Sequence, residues 1–155
     1  MEVAFRAFDR YKELVGISDV SFVEVEDQNS DYESGVAEIE EQHWRIRTAR
    51  ITPTKPGAFV AAWTRGIDGA TRPFNLDEAL SGLLVFVDDG SHFGVFRFTQ
   101  EHLLALGYLK SESSTGKRGF RVYPSWCNGL NPQAVRTQRV QSEAFEVLAA
   151  PTAEE

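Results

Sequence analysis

Two nearly continuous apolar runs, Ala58–Thr64 and Leu83–Val87, constrain the fold of this chain more than any other feature. Neither run alternates polar and apolar residues. A continuous apolar run is the pattern of a strand covered on both faces. A sheet that contains such strands must be covered on each face by other helices or strands of the chain. A chain of 155 residues is long enough for one domain with a core of that kind. We therefore predict a single domain over residues 1–150 and a disordered tail over residues 151–155.

The other predicted elements follow from periodicity and from turn residues. Helical spacing of apolar residues predicts a helix over Glu2–Val15, ended by Gly16. Asn131 and Pro132 are typical of a helix start and predict a last helix that runs to about Leu148. The remaining predicted elements are helices Leu76–Leu80 and Gln100–Leu106, strands Val20–Val25, Val36–Glu40, Phe93–Phe98 and Phe120–Tyr123, and a strand that starts at Trp44 and pairs with Val36–Glu40. The set predicts an α/β (α+β) fold with a mixed, largely antiparallel sheet flanked by helices.

Charge is distributed unevenly along the chain. The net charge is −7, yet residues 44–72 and 110–141 each carry +5 and are separated and flanked by acidic blocks. If the two basic blocks meet in space, they form a local positive surface on an acidic body. The alternative is that they pair with the acidic blocks, since charge runs are usually solvated faces.

Cysteine usage and hydropathy bear on the cellular setting. Cys127 is the one cysteine, so neither an internal disulfide framework nor a cysteine-based zinc site is expected. The N-terminus lacks a signal-peptide pattern, and the longest apolar run, Leu83–Val87, is too short to span a membrane. We expect a cytoplasmic protein with no membrane partner and no cofactor. No pattern in the sequence specifies an oligomeric state.

The segment Arg45–Trp63 places three arginines and a lysine among residues of strand type. Its apolar residues change from one face of the predicted strand to the other near Thr48, which predicts a β-bulge there. Thr52–Gly57 contains two prolines and must form a loop. Because charged residues beside an apolar face need partners, this segment indicates a site.

Five segments resemble the MepB family, in order and with suitable spacing. They are Arg47–Trp63, Arg72–Phe74, His92–Phe98, Gly116–Trp126 and Gln133–Gln141. The resemblance implies an α/β sheet arrangement similar to restriction-endonuclease-like proteins, but it implies no established activity. Three positions depart from the family pattern. Arg50 stands where lysine is usual, and Ala58 and Val140 stand where glutamine and tryptophan are common.

The two basic blocks supply the candidate site. Arginine offers a fork of donors and lysine a point charge, and both suit a phosphate group. We predict that the site binds an anionic, phosphate-bearing ligand, with nucleic acid favoured. The predicted residues are Arg47, Arg50, Thr52, Lys55, Arg65, Lys117, Arg118, Arg121, Tyr123, Trp126, Arg136, Gln138 and Gln141. Trp63, Tyr123 and Trp126 are candidates for stacking unpaired bases, with core packing as the alternative, above all for Trp63.

Two other functions stay open on the sequence. A metal-dependent phosphodiesterase would use Glu38 and Glu40 as acidic ligands beside Lys55. The E-x-K triplet of such enzymes is missing, so we predict no metal ligand and assign no catalytic residue. A structural or partner-binding protein would instead pair its arginines internally with acidic residues, for which Glu24 and Glu26 are further candidates.

A shared basic site makes two geometric predictions. Arg47–Lys55 and Lys117–Arg121 should lie side by side, with Gln138 and Gln141 facing them. Both glutamines should be at least partly buried and hydrogen-bonded, because an unpaired buried amide costs about 1–3 kcal/mol.

Overall fold

The computed structural model describes residues 5–26 and 30–151, so most of the predicted tail lies outside the described residues. The described helices are α1 (Arg6–Val15), α2 (Gln100–Ala105) and α3 (Pro132–Gln141). The described strands are β1 (Val20–Val25), β2 (Gly35–Ile39), β3 (Gln42–Thr48), β4 (Arg50–Ile51), β5 (Ala58–Ala61), β6 (Trp63–Arg65), β7 (Thr71–Pro73), β8 (Gly82–Asp88), β9 (Phe93–Thr99), β10 (Gly119–Val122) and β11 (Phe145–Ala149). Ser30–Tyr32 and Ser142–Ala144 form 3-10 turns.

Six of the described strands form the main sheet, in the order β1-β2-β3-β8-β9-β11. Neighbouring strands are antiparallel except for β3 and β8, which run parallel. The side chains of β8 alternate between two cores, with Leu83, Val85 and Val87 in one core and Leu84 and Phe86 in the other. The second apolar run therefore forms a central strand covered on both faces, as predicted.

Each face of the main sheet is covered by a different layer. Phe8 and Tyr11 of α1 pack on Phe86, with ring centroids 6.2 and 5.3 Å apart. On the other face lies a three-stranded sheet in the order β10-β5-β4, whose Val60 and Phe120 join the core between the sheets. β6 and β7 pair as a separate ribbon. The predicted mixed, largely antiparallel α+β fold is confirmed, and the further likeness to restriction endonucleases stays a prediction.

The helix ends follow the signals in the sequence. α1 begins at Arg6 and ends at Val15, and the left-handed φ of 69° at the capping Gly16 lets the N–H of Ile17 also reach the carbonyl of Lys12, at 3.2 Å. Residues 2–4 of the predicted helix lie outside the described residues. At the start of α3, the Asn131 side chain accepts from the N–H of Ala134 at 2.8 Å. Among the described helices, none is long and apolar enough to cross a membrane.

The last helix ends at Gln141, which corrects the prediction that it continues to about Leu148. Residues 142–144 tighten into the 3-10 turn, and β11 then adds an edge strand to β9. The ring of Phe145 packs on Phe96, with centroids 4.5 Å apart. Pairing with a strand almost fifty residues away overrides the local helical spacing, because strand formation depends on cross-strand neighbours.

A strand break, instead of the predicted β-bulge, explains the change of apolar face near Thr48. β3 pairs with β2 and β8 without a register shift. The chain leaves the main sheet at Ala49, whose N–H donates to the carbonyl of Phe86, and it enters the smaller sheet as β4. Arg47 and Arg50 therefore belong to different sheets.

The predicted short helix Leu76–Leu80 is a run of turns. Its capping contacts do form, because the side chains of Asn75 and Glu78 each accept from the other residue's N–H. Leu80 then adopts a φ of 58°. A left-handed residue at this point stops the first turn from propagating into a helix.

Candidate functional site

The outer face of the three-stranded sheet carries a row of three side chains. The strand register places Phe59 of β5 directly between Arg50 of β4 and Arg121 of β10. Directly opposed residues in antiparallel strands point to the same face. The neighbouring residues Val60 and Phe120 point into the core, so the row faces away from the core.

A groove of about 520 Å³ runs along this outer face. We name it the β5 groove, and its lining residues are Asp31, Tyr32, Phe59, Ala61, Trp63, Thr71, Arg118 and Gly119. Gly119 shapes its floor, because a Cβ atom there would lie 2.5 Å from Cζ of Phe59. The Phe59 ring therefore lies across β10, in space that only a glycine leaves open. The volume falls in the range of small-molecule binding sites.

Two arginines stand at the end of the groove formed by the β6–β7 ribbon. Nη1 of Arg118 donates to the hydroxyl of Thr71 at 3.4 Å. The guanidinium of Arg65 lies 5.2 Å from the centroid of the Trp63 ring. An arginine held against an aromatic ring keeps its charge and most of its donors at the surface.

The two basic blocks meet at Arg121. Its Nε and Nη2 donate to the carbonyl of Pro56 at 3.2 and 3.1 Å, and Nη2 also donates to the carbonyl of Lys55 and the hydroxyl of Thr52. These contacts hold loop 52–57 against β10. The sequence predicted this adjacency of the two basic blocks.

Gln141 supports this arrangement from the core. Its side chain is fully buried. It accepts from the N–H of Tyr123 at 2.9 Å and donates to the Arg121 carbonyl at 2.9 Å and the Tyr108 hydroxyl at 3.0 Å. Burial raises the pKa of the Tyr108 hydroxyl, and the Gln141 hydrogen bond opposes that shift. Gln138 is half-buried and donates to two carbonyls of the loop after β10. The predicted burial and pairing of both glutamines are confirmed.

Arg47, a predicted site residue, lies between the two sheets with no exposed surface. Glu26 accepts a two-pronged hydrogen bond from it at 2.8 and 3.1 Å, and the carbonyls of Ala61 and Ile46 take its other donors. Burial lowers the pKa of the Arg47 guanidinium, and the hydrogen bonds and charge of Glu26 oppose that shift. Arg45 also donates to Glu26, at 2.9 Å. Arg47 is therefore out of reach of a dissolved ligand and lies outside the β5 groove.

Two aromatic residues of the predicted site pack elsewhere. Trp126 stacks on His92, with ring centroids 4.7 Å apart, and meets Phe145 edge-on at 5.5 Å. Tyr123 lies against Gly57, where a Cβ atom would approach its ring to 2.8 Å. Both rings pack against residues near the end of β10, and neither ring lines the β5 groove.

Three cations of the predicted site are exposed at some distance from the groove floor. Lys55 projects from loop 52–57. The ammonium of Lys117 lies 5.9 Å from the centroid of the Tyr108 ring. Arg136 is exposed on α3, and at 3.6 residues per turn it points away from the side of the helix that carries Gln141.

Tyr32 and Phe59 line the groove but are absent from the sequence prediction. Their ring centroids lie 6.5 Å apart, with the ring planes tilted by 59°. Phe59 lies in the apolar run Ala58–Thr64, for which the prediction of one strand covered on both faces is wrong, because the run divides into β5 and β6 and Phe59 lines the groove. Gly119 is the one signal, because a glycine in a strand often marks the close approach of a neighbouring group, but the predicted strand begins only at Phe120.

Acidic residues give no metal site in the described part of the chain. Across residues 5–26 and 30–151, no group of three or more His, Cys, Asp and Glu side chains is placed to hold an ion. Glu38 lies opposite His43 in the β2–β3 hairpin, and Glu40 is exposed in its turn with a φ of 50°.

These observations define the class: an α+β domain with an aromatic, arginine-flanked groove on a small second sheet. Residues 26–147 match the MepB-like family model, and the chain belongs to this family. It is also similar to a crystal structure of MepB, with 34% sequence identity and a TM-score of 0.81. The similarity covers 93% of this chain and 97% of the other. No curated protein matches the chain.

Proposed function

We propose that the protein binds nucleic acid through its phosphate backbone, along the β5 groove. The observation that carries the proposal is the row in which Arg50 and Arg121 flank Phe59 on an outward-facing surface. Arg65 and Arg118 extend the positive charge toward the β6–β7 ribbon. Arg118 in the groove lining and the three arginines beside it outnumber Asp31, the one aspartate of the lining, and so favour a local positive surface on a chain of net charge −7. Guanidinium groups suit phosphate oxygens in geometry and charge.

Arg50 and Arg118 keep binding capacity in the free protein. Arg50 lies 3.9 Å from Asp31, and their side chains are 61% and 80% exposed. An ion pair of this kind contributes about 0–1 kcal/mol and yields readily to a phosphate. Arg118 is exposed, and its hydrogen bond to Thr71 is long, at 3.4 Å. The proposal assumes the cytoplasmic location expected from the sequence, where nucleic acid is present.

The salt dependence of binding tests the proposal. If about three or four cations contact phosphates, log affinity should fall linearly with log salt concentration, with a slope of roughly −2 to −4. Arg50→Ala and Arg118→Ala should each weaken binding with little regard to base sequence and reduce the slope by about 1. Fluorescence anisotropy with labelled oligonucleotides measures both quantities.

Arg139→Ala is the matched control, because it removes one positive charge from an exposed position of α3. It should leave the slope unchanged. Equal effects of Arg118→Ala and Arg139→Ala, or no salt-dependent binding at all, contradict the proposal. Adding Mg²⁺ or Mn²⁺ and separating the strands on a denaturing gel distinguishes binding from cleavage, and we expect intact strands.

A further inference from the structure

We infer that the β5 groove selects single-stranded nucleic acid, with unpaired bases stacked on Phe59 and Tyr32 while the arginines hold the phosphates. This inference rests on the proposed function and specifies the class of ligand. The arginines alone do not decide between single and double strands, because phosphate contacts carry no information about the bases. The aromatic floor of the groove carries the argument.

The Phe59 ring is placed so that a base can stack on it. It lies between the two arginines of the row, and Gly119 lets its ring lie across β10. The side chain is half-buried, so part of the ring faces the groove. Phenylalanine makes no hydrogen bond that would explain a place between two cations. Aromatic rings beside a cationic track are the usual means of holding unpaired bases.

Tyr32 supplies a second ring at the same end of the groove. Its ring is tilted by 59° from that of Phe59, with centroids 6.5 Å apart. Both rings line the groove, so each offers part of its surface there. Tyr32 is half-buried and packs against the core on its inner side, which fixes its position.

The floor continues along β5 and into the start of β6 at a spacing that does not match a duplex. Ala61 and Trp63 follow Phe59 at alternate positions. At about 3.3 Å per residue, alternate residues are about 7 Å apart. Bases of a duplex stack about 3.4 Å apart along each strand, and their ring faces are covered by neighbours. A duplex would meet the arginines but could not place a base face on Phe59.

The test compares a short single strand of mixed sequence with the blunt duplex made from it, for the wild type and four variants. Wild type should bind the single strand more tightly. Phe59→Leu and Tyr32→Leu should each weaken single-strand binding by roughly 5- to 150-fold, the equivalent of one stacked base. Duplex binding and the salt slope should stay as in wild type, because no charge is removed.

Two further variants separate the ring from the bulk of the side chain. Phe59→Trp retains an aromatic face and should keep the preference for single strands. Gly119→Ala adds only a methyl group, at a position without left-handed φ, and this methyl group would displace the Phe59 ring. Gly119→Ala should therefore weaken single-strand binding, as Phe59→Leu should. Thermal unfolding confirms that each variant is folded before its binding is compared.

The outcomes are distinguishable from failure of the proposed function. Salt-dependent binding with equal affinity for both ligands overturns the inference and leaves the proposed function standing. The same holds if folded Phe59→Leu and Tyr32→Leu variants keep the wild-type preference. Absence of salt-dependent binding to either ligand overturns both.

Discussion

Arg47 and Arg50 are three residues apart in the sequence but occupy opposite physical environments. Arg47 has no exposed surface and gives its donors to Glu26 and to backbone carbonyls. The Arg50 side chain is 61% exposed and has a loose partner, Asp31, at 3.9 Å. The break at Ala49, where the chain changes sheets, separates the two environments.

The comparison shows that one basic block serves two purposes. On the inner side of the break, arginines and Glu26 form an internal ion network that joins the sheets. On the outer side, arginines flank a groove and face solvent. A buried ion pair is costly to break but adds little net stability over apolar packing, whereas an exposed arginine is nearly neutral for stability and free to bind. The four predictions below test this division.

The largest effect should come from Glu26→Gln, which leaves the buried charge of Arg47 without its counter-ion. We expect the free energy of unfolding to fall by about 3–5 kcal/mol, measured by urea titration. Glu24→Gln, at an exposed position of β1, is the control and should stay within about 0.5 kcal/mol of wild type. Similar losses for the two variants would remove the contrast between buried and exposed charges.

Gln141→Leu should have the next largest effect, because it removes the link between the core and the groove. The N–H of Tyr123 and the carbonyl of Arg121 lose their side-chain partner. We expect a loss of about 1–3 kcal/mol in unfolding free energy. Gln133→Leu, on the exposed side of α3, is the control. A Gln141→Leu variant as stable as this control would show that the link is dispensable.

The Arg72–Glu78 pair is an intermediate case, with side chains 36% and 25% exposed. The hydrogen bond from Arg72 holds the pKa of the Glu78 carboxyl below its ordinary value, against the opposing effect of burial. The stabilisation is therefore present above the unfolded-chain pKa of about 4.3 and is lost as pH falls through the lower folded-state value. Glu78→Gln should flatten the acid side of a plot of stability against pH. An unchanged acid slope would contradict this assignment.

Arg50→Ala should change the unfolding free energy least, by no more than about 0.5 kcal/mol. The same variant should weaken nucleic-acid binding, so its two readouts diverge. Urea titration measures the first, and anisotropy the second. A loss of stability as large as that of Glu26→Gln would mean that Arg50 is a structural residue like Arg47.

Much of the fold was accessible from the sequence because its signals are local. The apolar run of β8, the glycine after α1 and the Asn131 cap act within a few residues of themselves. Two of the errors arose where a distant partner decided the outcome. The segment Phe145–Ala149 continues a helical spacing but pairs with β9. The β3 segment keeps its register and then changes sheets at Ala49.

The candidate site was predicted in part for the same reason. Arginine content indicated Arg50 and Arg121 without the structure. The place of Phe59 between them depends on the register of three strands, which residue types do not encode. Burial of Arg47 depends on Glu26, twenty-one residues earlier, and on the second sheet that covers both.

The parallel pairing of β3 with β8 has a consequence for the order in which the molecule assembles. Between Thr48 and Gly82 lie 33 residues, which include β4 to β7 and four of the eight residues that line the β5 groove. The hairpins β2–β3 and β8–β9 close short loops and can form within about 1–10 μs. Before β3 and β8 can pair, the connection between them must close as a loop, and the entropic cost of closing it grows with the length of the connection. Pulse-labelled hydrogen exchange should therefore show the hairpin amides protected before those between β3 and β8. A partly folded chain would then hold the two halves of its main sheet but no binding surface, so ligand binding reports on completion of the fold.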